Sequence, residues 1–146
     1  MTQTNERANR GKKAEKDVAK VLDRWNTQFA SFAYYRLPDA RAAMGRMKAA
    51  PADFLYYEGD YGGFIEVKQT EHEFRLAKDK ISQLPTLRKF SMAGARSLVI
   101  VYHSTLNKWR ITKLEFFNEG VPSWDLSALP LHDSAEQALN SLITWR

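Results

Sequence analysis

The sequence predicts a single α/β domain, a mixed β-sheet flanked by helices. Three observations predict it. Apolar residues recur at helical spacing between Ala14 and Phe29. Two apolar strand segments, Asp53–Tyr57 and Gly63–Lys68, face each other across the turn segment 58–62. Beyond them, helix-period and strand-period segments alternate to the end of the chain. At 146 residues, 44% hydrophobic and 27% charged, the chain has the size and composition of one globular domain with a core.

Residues 1–10 read as a flexible basic arm ahead of a single domain over 11–146. A first helix is expected from Gly11 to Gln28, because Ala14, Val18, Val21, Leu22, Trp25 and Phe29 make one apolar stripe. Phe32–Leu37 reads as a strand ended by Pro38-Asp39. Residues 39–51 show no period and read as a long basic loop, and loops of this length in small domains tend to be functional or mobile. The hairpin follows, with Gly62 and Gly63 expected to supply positive φ at the exit of its turn.

After a polar connector at 71–75, a helix is expected from an N-cap near Ser82 to a stop at Gly94, with Pro85 in its first turn. Ser97–Ser104 reads as a central strand buried on both faces. Lys108–Phe117 alternates Trp109 and Ile111 with polar residues and reads as a further strand. Residues 118–132 look irregular. Ala135, Ala138, Leu139, Leu142 and Ile143 define a C-terminal helix capped by Asp133 or Ser134.

There are no cysteines, which excludes disulfides and Cys-based zinc sites. The polar N-terminus lacks an apolar signal core, and the longest apolar run is too short to cross a bilayer. The expectation is a soluble, cytoplasmic protein of bacterial or phage origin. The net charge is +5, and no Lys or Arg falls between Leu114 and Trp145. Basic surface therefore gathers on the part that carries the hairpin, which favours a polyanionic partner over a generic solvated face.

The candidate chemistry lies on that hairpin. If the turn closes symmetrically over 59–62, Asp53 faces Lys68 and Leu55 faces Glu66, so Asp53, Glu66 and Lys68 share one sheet face. A one-residue slip would separate them. Two carboxylates on one face need neutralising, and Mg²⁺ does this with oxygen ligands. An ion there polarises a phosphate, and Lys68 can orient water or stabilise developing charge, so the set suits phosphodiester hydrolysis. Glu15 falls at the edge of the first helix's apolar stripe. It either reaches the site or is a solvated acid among Lys12, Lys13 and Lys16. Gln83 either holds a water or phosphate oxygen or serves as a surface cap. His72, His103 and His132 lack metal-ligand spacing. Tyr34, Tyr35, Tyr56, Tyr57 and Tyr61 either pack in the fold or line the cleft.

Asp53…Glu66-Val67-Lys68, preceded by a helix with Glu15 and followed by one with Gln83, resembles the PD-(D/E)XK nuclease superfamily. Within it, Ala52-Asp53-Phe54, Phe64–Thr70, Phe74-Arg75-Leu76, Ile81–Leu84 and Ser97–Val101 are most similar to RecU-type Holliday junction resolvases. The resemblance spans about half the chain, from Arg36 to Tyr102. It departs from the family pattern at Pro51, which is two residues before Asp53, while a literal Pro-Asp stands at Pro38-Asp39.

The resemblance implies a restriction-endonuclease-like core and a homodimeric, Mg²⁺-dependent endonuclease that cuts branched DNA, with Mn²⁺ as a possible substitute. It implies Asp53, Glu66 and the Val67 carbonyl as metal ligands, Lys68 as the catalytic lysine, Glu15 as a helix acid near the metal and Gln83 as a supporting group. Arg41, Arg46, Lys48, Lys12, Lys13, Arg75, Lys78 and Lys80 are the candidate DNA-binding cations. A restriction- or repair-type nuclease, or a non-catalytic DNA-binding module, is the alternative reading.

Overall fold

A long helix and a five-stranded sheet organise the chain. The structure, a computed structural model, describes residues 3–38 and 50–143, with side chains from Lys12 onward. Helix α1 (Gln3–Gln28) begins eight residues before Gly11, inside the segment read as an arm. Its apolar stripe packs on one face of the sheet, with Val18 and Leu22 fully buried and Trp25 nearly so. Strand β1 (Phe32–Arg36) pairs antiparallel with β2 (Phe54–Glu58), and β2 with β3 (Tyr61–Thr70). Most of the 39–51 loop lies outside the described residues.

The β2–β3 turn is two residues long, because Glu58 pairs with Tyr61. Its positive φ falls on Gly59 (+56°), the first central position, as in a type II′ turn. Gly62 and Gly63 are instead inside β3, where a methyl group would meet the Tyr57 ring at 2.5 Å and the Arg96 carbonyl at 2.4 Å, respectively. They are required by close approach, not by turn geometry. The tighter turn moves the pairing by two residues from the symmetric expectation, so Leu55 lies opposite Phe64 and Phe54 opposite Ile65. A shift of two keeps every side chain on its expected face.

Strand β4 (Arg75–Ala77) leaves the main sheet and pairs with β7 (Ser123–Asp125), a short strand within the segment read as irregular. A single 3₁₀ turn at Lys78–Lys80 leads to α2 (Leu84–Met92), which has Pro85 in its first turn and ends before Gly94 (φ +109°). The helix begins two residues after Ser82, and its N-cap is Gln83. The chain then enters β5 (Leu98–His103), parallel to β3 and buried at all six positions, as its unbroken apolar run predicts. Strand β6 (Lys108–Lys113) is shorter than expected, because Leu114–Phe116 form a 3₁₀ turn. Helix α3 (Ala135–Leu142) is capped by Ser134, whose side chain accepts the Gln137 N–H.

The sheet order is β1-β2-β3-β5-β6. One core cluster joins α1 and α3 to Phe54, Ile65, Val67 and Ile100, while the other joins α2 to Phe64, Val99 and Val101. The result is a restriction-endonuclease-like α/β core, a mixed sheet flanked by helices, as expected. Among the described residues no helix is long and apolar enough to cross a membrane.

Candidate active site

The ladder between β2 and β3 ends at Phe54–Ile65. One step further, Asp53 lies outside the β2–β3 ladder, and its Oδ2 accepts the Val67 N–H at 2.7 Å. Continuing the register places Asp53 across from Glu66, on the α2 face of the sheet. Glu66 is buried, only 6% exposed, and its Oε1 lies 3.3 Å from Lys68 Nζ. Strand alternation puts Lys68 on the same face, so β3 delivers an acid and its cation side by side. Backbone N–H and C=O of one strand residue point the same way, so the Val67 carbonyl also turns toward the end of β2.

Glu15 comes from the opposite layer. Helix α1 covers the other face, yet Asp53 lies beyond the end of β2, and the two carboxyls meet there through a shared hydrogen bond. Arg36 Nη2 holds Glu15 Oε2 at 3.2 Å. Burial, then the bond to Asp53 and its charge, push the Glu15 carboxyl up to about 7 against the pull of Arg36. Burial also pushes Asp53 up to about 7; the Glu15 bond opposes this, the charge and hydrogen bond of Glu66 add to it, and the Val67 N–H opposes it. The two acids therefore share protons and titrate as a pair.

Three carboxylates gather at one strand end, with Lys68 on Glu66 and Arg36 on Glu15 as their partner cations. Among the described residues no group of three or more acidic or histidine side chains is placed to hold a metal ion. A hard divalent cation does not require such a group, since carbonyl oxygens and waters complete its shell. Asp53, Glu66 and the Val67 carbonyl, with Glu15 behind Asp53, are all oxygen donors, the chemistry such an ion prefers.

The remaining candidates are more dispersed. Gln83 is half-buried at the start of α2, and among the described residues no hydrogen bond joins its side chain to the carboxylates. Lys12 and Lys13 are exposed on α1, with Lys13 Nζ 5.6 Å from the Tyr102 ring. Arg75, Lys78 and Lys80 are exposed along the β3–α2 connection, and Arg75 reaches Ser123 Oγ at 3.3 Å. Arg41, Arg46 and Lys48 lie outside the described residues. His72 accepts the N–H groups of Phe74 and Arg75 on Nδ1, so it shapes the connector. Sequence reasoning missed Arg36; the register Arg36–Phe54 would have revealed that it shares the α1 face with Glu15.

The topology is that of the restriction-endonuclease-like class of fold. Among solved structures the chain resembles Hjc of Archaeoglobus fulgidus, a Holliday junction resolvase from an archaeal hyperthermophile. The TM-score is 0.54, with 22% sequence identity over 88% of this chain and 98% of that one. No protein-family model matches the sequence. No curated protein sequence matches it either.

Proposed function

We propose that this chain is a divalent-metal-dependent DNA endonuclease that cuts branched DNA in the manner of a Holliday junction resolvase, in DNA recombination or repair. The observation that carries the reading is the corner itself. Asp53 is pinned by the Val67 N–H at the end of β2, against Glu66, whose partner is Lys68. The fold likeness to Hjc and the RecU-type motifs support the same substrate class.

Asp53, Glu66 and the Val67 carbonyl would hold the ion, Mg²⁺ by its preference for oxygen. When bound, the ion neutralises these acids and polarises the scissile phosphate. Lys68, held by Glu66, offers an ammonium hydrogen bond to the attacking water or to charge growing on the phosphate. Glu15, fixed by Arg36, steadies Asp53 and its proton. Gln83 supports the phosphate from the start of α2. Lys12, Lys13, Arg75, Lys78 and Lys80, with Arg41, Arg46 and Lys48, draw the DNA backbone in. Paired cuts across a junction call for two sites related by a two-fold axis, hence a homodimer. The protein acts on DNA in the cytoplasm of a bacterium, as a host or phage product.

A panel of labelled four-way junction, flap and linear duplex, with Mg²⁺ or EDTA, tests this. Cleavage should require Mg²⁺ and favour the junction, and Lys68→Ala should lose it while keeping DNA binding. Preferential cutting of linear duplex would move the reading to a restriction-type enzyme. Tight binding without any cleavage would leave a DNA-binding module.

A further inference from the structure

The sheet face that carries Asp53 and Glu66 continues into an apolar groove that the proposed chemistry does not use. Its floor is Leu55, Gly62 and Phe64, and its volume is about 300 Å³. One wall is Tyr57, which is 56% exposed, and the other is Phe90, which is 43% exposed and packs edge-on against Phe64 at 4.9 Å. Gly62 lies directly under the Tyr57 ring, where a methyl group would come within 2.5 Å of it. The glycine lets the ring settle onto the β3 backbone with its other side open to solvent. Tyr35, beside Leu55 on β1, is 65% exposed and extends this aromatic surface to the sheet edge.

We propose that this groove takes an unpaired nucleobase of the DNA strand whose phosphate reaches Asp53 and Glu66. The inference rests on the endonuclease reading and names the part of the substrate that reading leaves open. Continuity carries it: along one face, Asp53, Leu55 and Tyr57 follow at two-residue steps of about 7 Å each. A DNA strand that runs from the carboxylates along this face lays its next nucleotides over Leu55 and Tyr57. Exposed aromatic planes stack on any base, and they reach only bases that are not paired within a duplex. Among the described residues Asp60 is the one charged residue lining the groove, so the groove offers an apolar seat rather than a phosphate site. A protein surface seated there would close the approach to Glu66, two residues beyond Phe64. The groove therefore makes the enzyme selective for DNA with unpaired bases at the branch.

The test uses the full chain in EDTA, so that binding is read apart from cleavage. A splayed fork and a four-way junction carry 5-iodouracil at the branch, with a fully paired duplex as control. Irradiation should crosslink the branched DNAs to Tyr57 or Phe90, and not the duplex. Tyr57→Ala should weaken fork binding about 5- to 100-fold and leave duplex binding unchanged, while Tyr57→Phe should retain both. Gly62→Ala keeps the tyrosine but displaces its ring, and should weaken fork binding in the same way; it serves where Tyr57→Ala fails to fold. Absence of crosslinks on this face, or equal losses on fork and duplex, would overturn the proposal. So would a dimer that Tyr57→Ala converts to monomer, since the groove would then be a contact between copies. Cleavage by the wild type without crosslinking sinks the groove alone; crosslinking without any Mg²⁺-dependent cleavage sinks the endonuclease reading alone.

Discussion

Burial and the charge of Glu66 hold a proton on Asp53, the bonds from Glu15 and the Val67 N–H oppose this, and that balance has a measurable sign. Asp53 and Glu15 keep their protons to about 7 in the fold, whereas the unfolded chain releases them near the ordinary carboxylate values of 3.8 and 4.5. Between those limits the folded state binds more protons, so these groups lower stability as pH rises from about 4 to 7. Asp53→Asn, which can still accept the Val67 N–H, should raise the melting temperature at pH 8 and change it little at pH 4. Mg²⁺ should then stabilise the wild type at pH 8 more than the variant. An equal loss of stability at both pH values would contradict this balance. Buried His103 acts in the other sense. Burial first, then the Arg110 and His72 charges, lower its pKa against a bond to the His72 carbonyl, so its contribution is lost as pH falls below 6.5. Asp53, Glu66 and Lys68 were legible in the sequence because the strand period of two survives a two-residue change of register. For Glu15 the edge of an apolar stripe left both readings open, and the structure sets it beside Asp53. Arg36 was not legible, because its partner lies 21 residues away on another element.

The hairpin of β2 and β3 is the element on which the site depends, and its glycines act differently from their sequence reading. A Gly-Gly pair beside a turn suggests positive φ, yet the left-handed residue is Gly59. Gly63 is small because the Arg96 carbonyl, in the segment leading into β5, passes against it, a long-range contact with no local signature. Gly63→Ala presses a methyl group on rigid backbone, and should cost about 1–3 kcal/mol in chemical denaturation. Gly59→Ala meets open space and should cost only about 1–2 kcal/mol, through its φ of +56°. A Gly63→Ala variant as stable as wild type would show that β3 and β5 approach less closely than described. The helices and β5 were readable because period and burial agree over many residues. Strands β4 and β7 have three residues each, too few to show a period, and their pairing is set by tertiary contact.

At the scale of the molecule, two cores on opposite faces of one sheet leave the end of β2 open, and the acids collect at that opening. Fold class was legible because the order of elements limits the ways one sheet can be covered; the parallel pairing of β3 with β5 across α2 was not, since nothing local encodes it. Dimerisation follows from the proposed symmetric cutting, and sedimentation should show a two-subunit species; a strict monomer would count against the resolvase reading. On the proposed reading the corner of Asp53, Glu66 and Lys68 is a nuclease centre. Its most direct test is single-turnover cleavage of a labelled four-way junction in Mg²⁺ by wild type and Asp53→Asn. The wild type should introduce paired nicks, and the variant should bind the junction equally well but cut it at least ~10³-fold more slowly. Equal cleavage rates for the two proteins would show that Asp53 is not part of a nuclease centre.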